Sequence, residues 1–347
     1  ATLEEMSAAM SSTFVDELPG DGATDRGGEP PEQREVRGAF YSRVQPTPSG
    51  GEPELVMVSR DVEAMLGLCE SEIEDNPLAA EYLSGNVPLP GGRSKPYAQN
   101  YGGHQFGQWA GQLGDGRAIT LGEVVAPGPA ADDDDHDDGD DEGVLLQLGR
   151  SRSSSRSRRF ELQLKGAGKT PYSRRGDGRA VLRSSLREFI ASEAMHHLGI
   201  PTTRCLSLVL TGAGVLRDVY NLNAMKMEAG AVASRVAPTF IRFGTFQLPP
   251  ARGDAEADAL SPQLVDYVLR YHMPEAAAAT AAAAAAAATG DAKTSYPPAL
   301  AMLRQTVAAT AATVAGWQAV GFTHGVLNTD NMSILGLTVD YGPFGWM

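Results

Sequence analysis

The alternation of apolar and polar positions divides the chain into readable elements. "FELQLKGAG" (Phe160 to Gly168) alternates and then turns on glycines, which predicts a strand ending at Lys165. The segment that follows, "RAVLRSSLREFIASEAMHHLGI", has helical spacing and places Val181, Leu182, Leu186, Phe189, Ile190 and Met195 on one side. "AITLGEV" (Ala118 to Val124), "TRCLSLVLTG" (Thr203 to Gly212) and "AVASRVAPTFIRFGTFQ" (Ala231 to Gln247) read as strands. Upstream, an extended Pro-rich piece from Tyr41 leads to a short strand at Leu55 to Ser59 and a helix opened by Asp61. Residues 259 to 275 read as helical, and Pro297 to Phe322 as a long amphipathic helix that delivers the chain to His324. No repeat period is present, which excludes a solenoid.

Other stretches lack a pattern. Residues 1 to 36 are polar and rich in Gly, Pro and acids, and read as loose apart from Thr13 to Asp21. Two low-complexity runs, "DDDDHDDGDDE" (Asp132 to Glu142) and "RSRSSSRSRR" (Arg150 to Arg159), flank a candidate strand, "VLLQLG". Their compositions favour solvated loops, so residues 127 to 159 are expected to be a disordered surface insertion. Ala276 to Ala288 has high helix propensity and no face, and lengthens a helix or loop inside an Ala-rich insert over 275 to 296.

Charge changes this picture little. The net charge is −14, but nine acidic residues fall in the Asp132 to Glu142 run, and the rest of the chain carries only about −5. The acidity belongs to an insertion. No basic face emerges to neutralise phosphates, so no nucleic-acid partner is expected. No run of about 18 apolar residues appears, so no membrane span is expected. Two cysteines are too few for a disulfide scaffold and favour a reducing, intracellular setting. The histidines form no zinc-type cluster. The chain begins without Met and stops abruptly at "YGPFGWM", which reads as a fragment.

The candidate chemistry lies in four places. "HGVLNTDNMSILGLTVDYGPFG" (His324 to Gly345) aligns with the H-R-D-L-x-x-x-N and D-F-G stretches of a protein kinase, with Asn331 at the metal-binding Asn and Asp340-Tyr341-Gly342 at D-F-G. Val326 stands where the catalytic Asp belongs. Asp330, Asn331 and Asp340 offer hard oxygens suited to Mg2+ or Mn2+ bound with phosphates; they read equally as an N-cap and a turn. His324 reads as a packed structural histidine. A strand lysine, Lys165, followed by a helix glutamate, Glu188, is how kinases hold ATP phosphates, though such a pair is also common on surfaces. In "GQLGDGR", Gly114 and Gly116 would admit phosphate to the backbone and Arg117 adds charge; a plain D-G turn is the alternative. The order of these parts, more than any one of them, points to nucleotide chemistry.

The long stretches "YGGHQFGQWAGQLGDGRAITLGE", "LQLKGAGKTPYSRRGDGRAVLRSSLREFIASEAMHHLGIPTTR", "SRVAPTFIRFGTFQ" and the terminal segment resemble the selenoprotein O (SelO) family. The resemblance covers most of the chain outside the inserts. It implies an α+β, protein-kinase-like two-lobed fold, with a β-rich N-lobe and an incomplete helical C-lobe. The implied division is an N-terminal extension over 1 to 90, an N-lobe over 91 to 215 and a partial C-lobe over 216 to 347. It implies a protein adenylyltransferase that binds ATP in a flipped orientation and transfers AMP to Ser, Thr or Tyr hydroxyls of proteins, releasing pyrophosphate. Non-catalytic ATP binding or ordinary phosphotransfer are the alternatives. Carried over, Gly114, Gly116, Arg117, Lys165 with its partner Glu188, Asp177, Gly178, Arg235, Arg242 and Asp340 bind ATP. Asp330 is the proton acceptor, and Asn331 and Asp340 hold Mg2+ or Mn2+. Arg235 and Arg242 are seven apart, so a regular strand would put them on opposite faces, and one must reach the site through a bend or loop. The resemblance further implies a monomer, in mitochondria if the source is eukaryotic and in the cytoplasm otherwise.

Overall fold

A computed structural model of the protein describes residues 1–23, 32–126, 158–218, 224–288 and 297–347. Among these are ten helices and twelve strands, an α+β arrangement with antiparallel pairing throughout the main sheet. The acidic run and the "VLLQLG" strand lie outside the described residues. Of the Arg/Ser run, Arg158 and Arg159 are not part of a loop: they open strand β7 (Arg158–Lys165).

The central sheet has the order β1 (Tyr41–Arg43), β3 (Tyr97–Gln99), β6 (Ala118–Ala126), β7, β10 (Lys226–Ala237), β9 (Arg204–Arg217), β2 (Glu54–Val58), and β8 (Ala180–Val181) pairs with β10 off this path. The alternation in β7 explains its two faces. Phe160, Leu162 and Leu164 enter a core with Val232 and Val236 of β10 and Leu206 and Val209 of β9. Glu161, Gln163 and Lys165 point the other way, toward the polar centre of the molecule.

Helices α1 (Leu3–Ala8), α3 (Arg60–Leu66), α4 (Glu72–Asp75) and α5 (Ala79–Ser84) cover the apolar face, through Leu3, Met6, Val62, Ile73 and Leu83. The start of the chain is therefore not loose. Thr2 and Glu5 form a capping box, each side chain taking the other's backbone N–H, at 3.1 and 3.0 Å. Leu3 and Met6 are buried behind it.

A second core joins α2 (Thr13–Glu17) to the helices α8 (Asp254–Tyr271) and α10 (Pro298–Ala319), with Phe14, Tyr97, Leu264, Tyr267 and Met302 in contact. The Ala-rich tract lengthens a helix, α9 (Pro274–Ala288). Helix α6 (Leu182–His197) lies against β9 and β10. It buries Ser185, Glu188, Phe189, Ser192 and Met195, whereas Ile190, expected on the apolar side, is 51% exposed. Ile190 is about 200° round the helix from Glu188, and the face that turns inward is the one carrying the charge.

One expected boundary moves. β10 ends at Ala237, and "FGTFQ" is not strand but the first turn of α7 (Phe243–Ala251), with Arg242 at its N-cap. A division at residue 216 would cut β9, and the sheet-forming residues run on to Ala237. No helix among the described residues is long and apolar enough to cross a membrane.

Candidate active site

Strand register brings the first charges together. In the β7–β10 pair, Lys165 stands opposite Ala233 and Gln163 opposite Arg235, so Lys165, Gln163 and Arg235 share one face. Glu188 reaches them from α6. One of its oxygens lies 2.7 Å from Lys165 Nζ and the other 2.8 Å from Arg235 Nη1. Burial alone would raise the Glu188 carboxyl, but Lys165 and Arg235 outweigh it and hold it below its ordinary value. Arg235 also donates to Gln163 Oε1 and stacks over the Phe240 ring at 5.0 Å.

Arg242 completes the group through a bend after β10, as the spacing of seven requires. It caps α7, donates to the backbone oxygen of Asp330 at 2.7 Å and lies over the Tyr101 ring at 4.9 Å. Asp340 ties the set together. Its Oδ1 accepts from Lys165 at 2.7 Å and from Arg235 at 2.6 Å, and its Oδ2 accepts from Arg242. Burial would raise this carboxyl; Arg242, Lys165 and Arg235 instead hold it well below the carboxylate range. Asp115, buried beneath, accepts from the backbone N–H of Gln99 at 3.0 Å and from the Tyr101 hydroxyl at 3.1 Å, with Arg242 at 3.8 Å. Burial raises its carboxyl despite that arginine.

The turn between β5 (Gln108–Gln112) and β6 forms another wall. Gly114 has φ +70, and a Cβ there would stand 2.4 Å from Tyr172 Cγ, so the turn needs glycine for conformation and for space. Thr170 and Ser173 donate their hydroxyls to the backbone oxygens of Asp115 and Gly116, at 2.6 and 2.5 Å. Across from it, Asp177 accepts both Arg217 Nη1 and Nη2, at 2.7 and 2.8 Å. Burial would raise its carboxyl, but Arg217 and the Arg179 amide bring it below its ordinary value.

All of these walls enclose one cavity of about 880 Å3. Gly114, Gly116, Arg117, Lys165, Asp177, Gly178, Glu188, Arg235, Arg242, Asp330, Asn331 and Asp340 all line it. Twelve residues expected from sequence, spread over 227 positions, thus meet in one place. The Lys165–Glu188 pair is buried, not a surface pair. His324 is a packed histidine: its Nε2 bonds Val339 O at 2.9 Å and its ring lies against Trp317. Sequence reasoning missed Asp115, Gln163, Tyr101 and Gln105. The only signal for Asp115 was its place between the two glycines already singled out.

The Asn331 amide donates to Val326 O at 2.9 Å, which leaves its oxygen as the available end. Asp330 accepts from Gln105 Nε2 at 2.9 Å through Oδ2, while Oδ1 is buried with no hydrogen-bond partner. Among the described residues no group of three or more His, Cys, Asp or Glu side chains forms a metal site.

The chain resembles known proteins over most of its length. A family model described as "Protein adenylyltransferase SelO" matches residues 30–132 and 136–347. A protein of Aromatoleum aromaticum named protein nucleotidyltransferase YdiU is 48% identical over 338 residues, covering 97% of this chain and 55% of its own length. Proteins of the same name from Azoarcus sp. and Nitrosospira multiformis are 50% and 45% identical, over 97% and 98% of this chain and 54% and 51% of theirs. The chain spans about half the length of these curated relatives. With a match that runs from residue 30 to the last residue, and relatives near 50% identity, the chain belongs to the SelO protein adenylyltransferase family.

Proposed function

We propose that this chain carries the nucleotide-binding and catalytic residues of a protein adenylyltransferase acting on ATP and on Ser, Thr or Tyr hydroxyls of proteins. The observation that carries the reading is the convergence of Lys165, Arg235 and Arg242 on Asp340, at the wall of a cavity that Asp330 also lines. Those three cations, with Arg117 on the same wall, oppose the charge of a triphosphate. Glu188 keeps Lys165 and Arg235 in place. The glycine turn presents backbone at the cavity, and Asp177 and Gly178 form its far side.

Asp330 takes the proton of the acceptor hydroxyl as that oxygen attacks the α-phosphorus; the bond between the α-phosphorus and its bridging oxygen breaks, and pyrophosphate leaves. Asp330 suits this task because it lines the cavity and only a neutral amide, Gln105, bonds its carboxylate among the described residues. Asn331 and Asp340 would supply the hard oxygens that Mg2+ or Mn2+ takes, and the Asn331 amide nitrogen is the end engaged with Val326 O. A divalent cation bound there would neutralise triphosphate charge and draw its other ligands from phosphate oxygens.

Lys165, Glu188 and Asp340 meet in the manner of kinase parts, and on this we base a protein-kinase-like reading of the fold, with the first lobe ending after β10 and the second from α7 onward. Val326 takes the usual position of a kinase base, which fits a nucleotide bound the other way round. The relatives described above are bacterial, which lends the mitochondrial expectation no support and favours the cytoplasm.

The test is incubation of the intact protein, wild type and Asp330→Ala, with α- or γ-labelled ATP and Mg2+ or Mn2+. Protein label from the α-position alone, weakened by at least about a hundredfold in the variant, is expected. Label from the γ-position would make the protein a kinase. ATP binding without label from either position would leave a nucleotide-binding scaffold.

A further inference from the structure

We propose that Gln105 is the positioning residue for Asp330, and that the β4–β5 hairpin holds this carboxylate in the one orientation in which it takes the acceptor's proton. The inference rests on the reading of Asp330 as proton acceptor. Strands β4 (Gly102–Gln105) and β5 pair only with each other, outside the central sheet. Their connection is two residues long, and Phe106 and Gly107 both have positive φ, 51° and 81°. This is the tight turn that matches strand twist. A phenylalanine in that conformation, 86% exposed, is costly for the fold alone.

The hairpin reaches the segment before Asn331 by three hydrogen bonds. The His104 amide donates to Thr329 Oγ1 at 2.7 Å, Gln105 Nε2 to Asp330 Oδ2 at 2.9 Å, and the Phe106 amide to Asn328 Oδ1 at 3.3 Å. From the other side, the Thr329 hydroxyl donates to Gln247 Oε1 on α7 at 2.6 Å.

Among the described residues, Gln105 is the one side-chain donor to the Asp330 carboxylate; Arg242 takes the backbone oxygen instead. A carboxylate with no donor rotates between two equivalent states. One donor on Oδ2 removes the equivalence and fixes the orientation of the carboxylate. The other oxygen, Oδ1, packs against Gly103 of the same hairpin, where a Cβ would stand 2.8 Å from it, so the glycine lets the hairpin close on the carboxylate. The donor's neutrality matters as well: a lysine or arginine there would orient the carboxylate but weaken it as a base.

Gln105→Met preserves length and removes the donor. Gln105→Glu preserves shape and puts an acceptor against an acceptor. Each is compared in the intact protein with wild type, Asp330→Ala and the Gln105→Met/Asp330→Ala double variant, by kcat and ATP KM for AMP transfer and by ATP affinity. Gln105→Met is expected to lower kcat by roughly tenfold to a hundredfold, the range for a hydrogen bond to a charged group. ATP KM and affinity stay unchanged, Gln105→Glu loses more, and the double variant is no slower than Asp330→Ala. Gln105→Asn, which keeps the amide but not its reach, reproduces the kcat loss should the Met variant fold poorly. Full kcat in Gln105→Met, a loss confined to ATP KM, or a further loss in the double variant would each overturn the inference. A wild type that moves no AMP would instead remove the functional reading itself, a result distinct from an active wild type indifferent to Gln105.

Discussion

Three cations share the carboxylate of Asp340, and two of them, Arg235 and Arg242, have side chains only 1% and 2% exposed. Charges that far from water are tolerable only while paired. Asp340→Asn removes the one group all three have in common, and is expected to cost about 3–5 kcal/mol, the range for breaking a buried pair from one side. Urea denaturation of the variant measures it; a change below about 1 kcal/mol, the scale of an exposed pair, would mean the cations find other partners. The sign with pH follows from the lowered carboxyl. The stability Asp340 contributes is present above about pH 4, the ordinary carboxylate value, and is lost only in strong acid, as pH falls through its folded value. Much of this group was legible in the chain. Lys165 ends an alternating strand and Glu188 lies on the next helix, so their meeting follows from local pattern. Asp115 and Gln163 were not legible, because a D-G turn and a polar residue in a strand look the same whether they face solvent or a buried arginine. Only the pairing of β7 with β10 decides that.

Helix α1 is six residues long, too short to persist alone, and is held by its cap and by Leu3 and Met6 against the sheet. Its position between polar stretches hid it, although T-x-x-E at Thr2 to Glu5 was a readable start signal. Leu3→Ala is expected to destabilise the protein by about 2–5 kcal/mol, as for a fully buried leucine; an unchanged urea midpoint would return these residues to the loose state their composition suggests. Helix α7 escaped notice for another reason. It carries Pro249 and Pro250, and only the short segment from Pro238 to Arg242 separates it from β10, so "FGTFQ" read as a continuation of the strand. Pro238, which has no N–H to give the ladder, follows the last residue of β10, and Thr239 and the Phe240 amide then turn aside to Glu161 on β7, at 2.8 and 3.1 Å. The long elements, β7, α6, α8 and α10, were legible because each repeats apolar residues with the period of its own type and buries them in a core. α6 shows the limit, since its inward face includes Glu188 and leaves Ile190 outside.

Glu161 joins the sheet to Thr239 and Phe240, just past the end of β10. Burial pushes its carboxyl up to about 8, helped by Glu123 and Asp115 and opposed by Thr239 and Phe240. The folded protein therefore holds a proton here that the unfolded chain releases near 4.5. The stability contributed by the neutral acid is complete below about pH 4.5 and is lost as pH rises through about 8. Wild type is thus expected to lose on the order of a few kcal/mol against Glu161→Gln between pH 5 and about pH 8, at about 1.4 kcal/mol per unit. Urea midpoints of both proteins across that range report it, and parallel curves would show that Glu161 is ionised throughout. The sheet order has a consequence for synthesis. Strands β1 and β2, at its two edges, are made first, and β7, β9 and β10, which separate them, come from residues 158 to 237. Leu3, Val62 and Leu83 leave the ribosome long before Leu162 and Val232, against which they pack. Until β7, β9 and β10 have been made, the nascent chain carries apolar groups without the strands they pack on. Its demand for chaperone protection is set by this strand order.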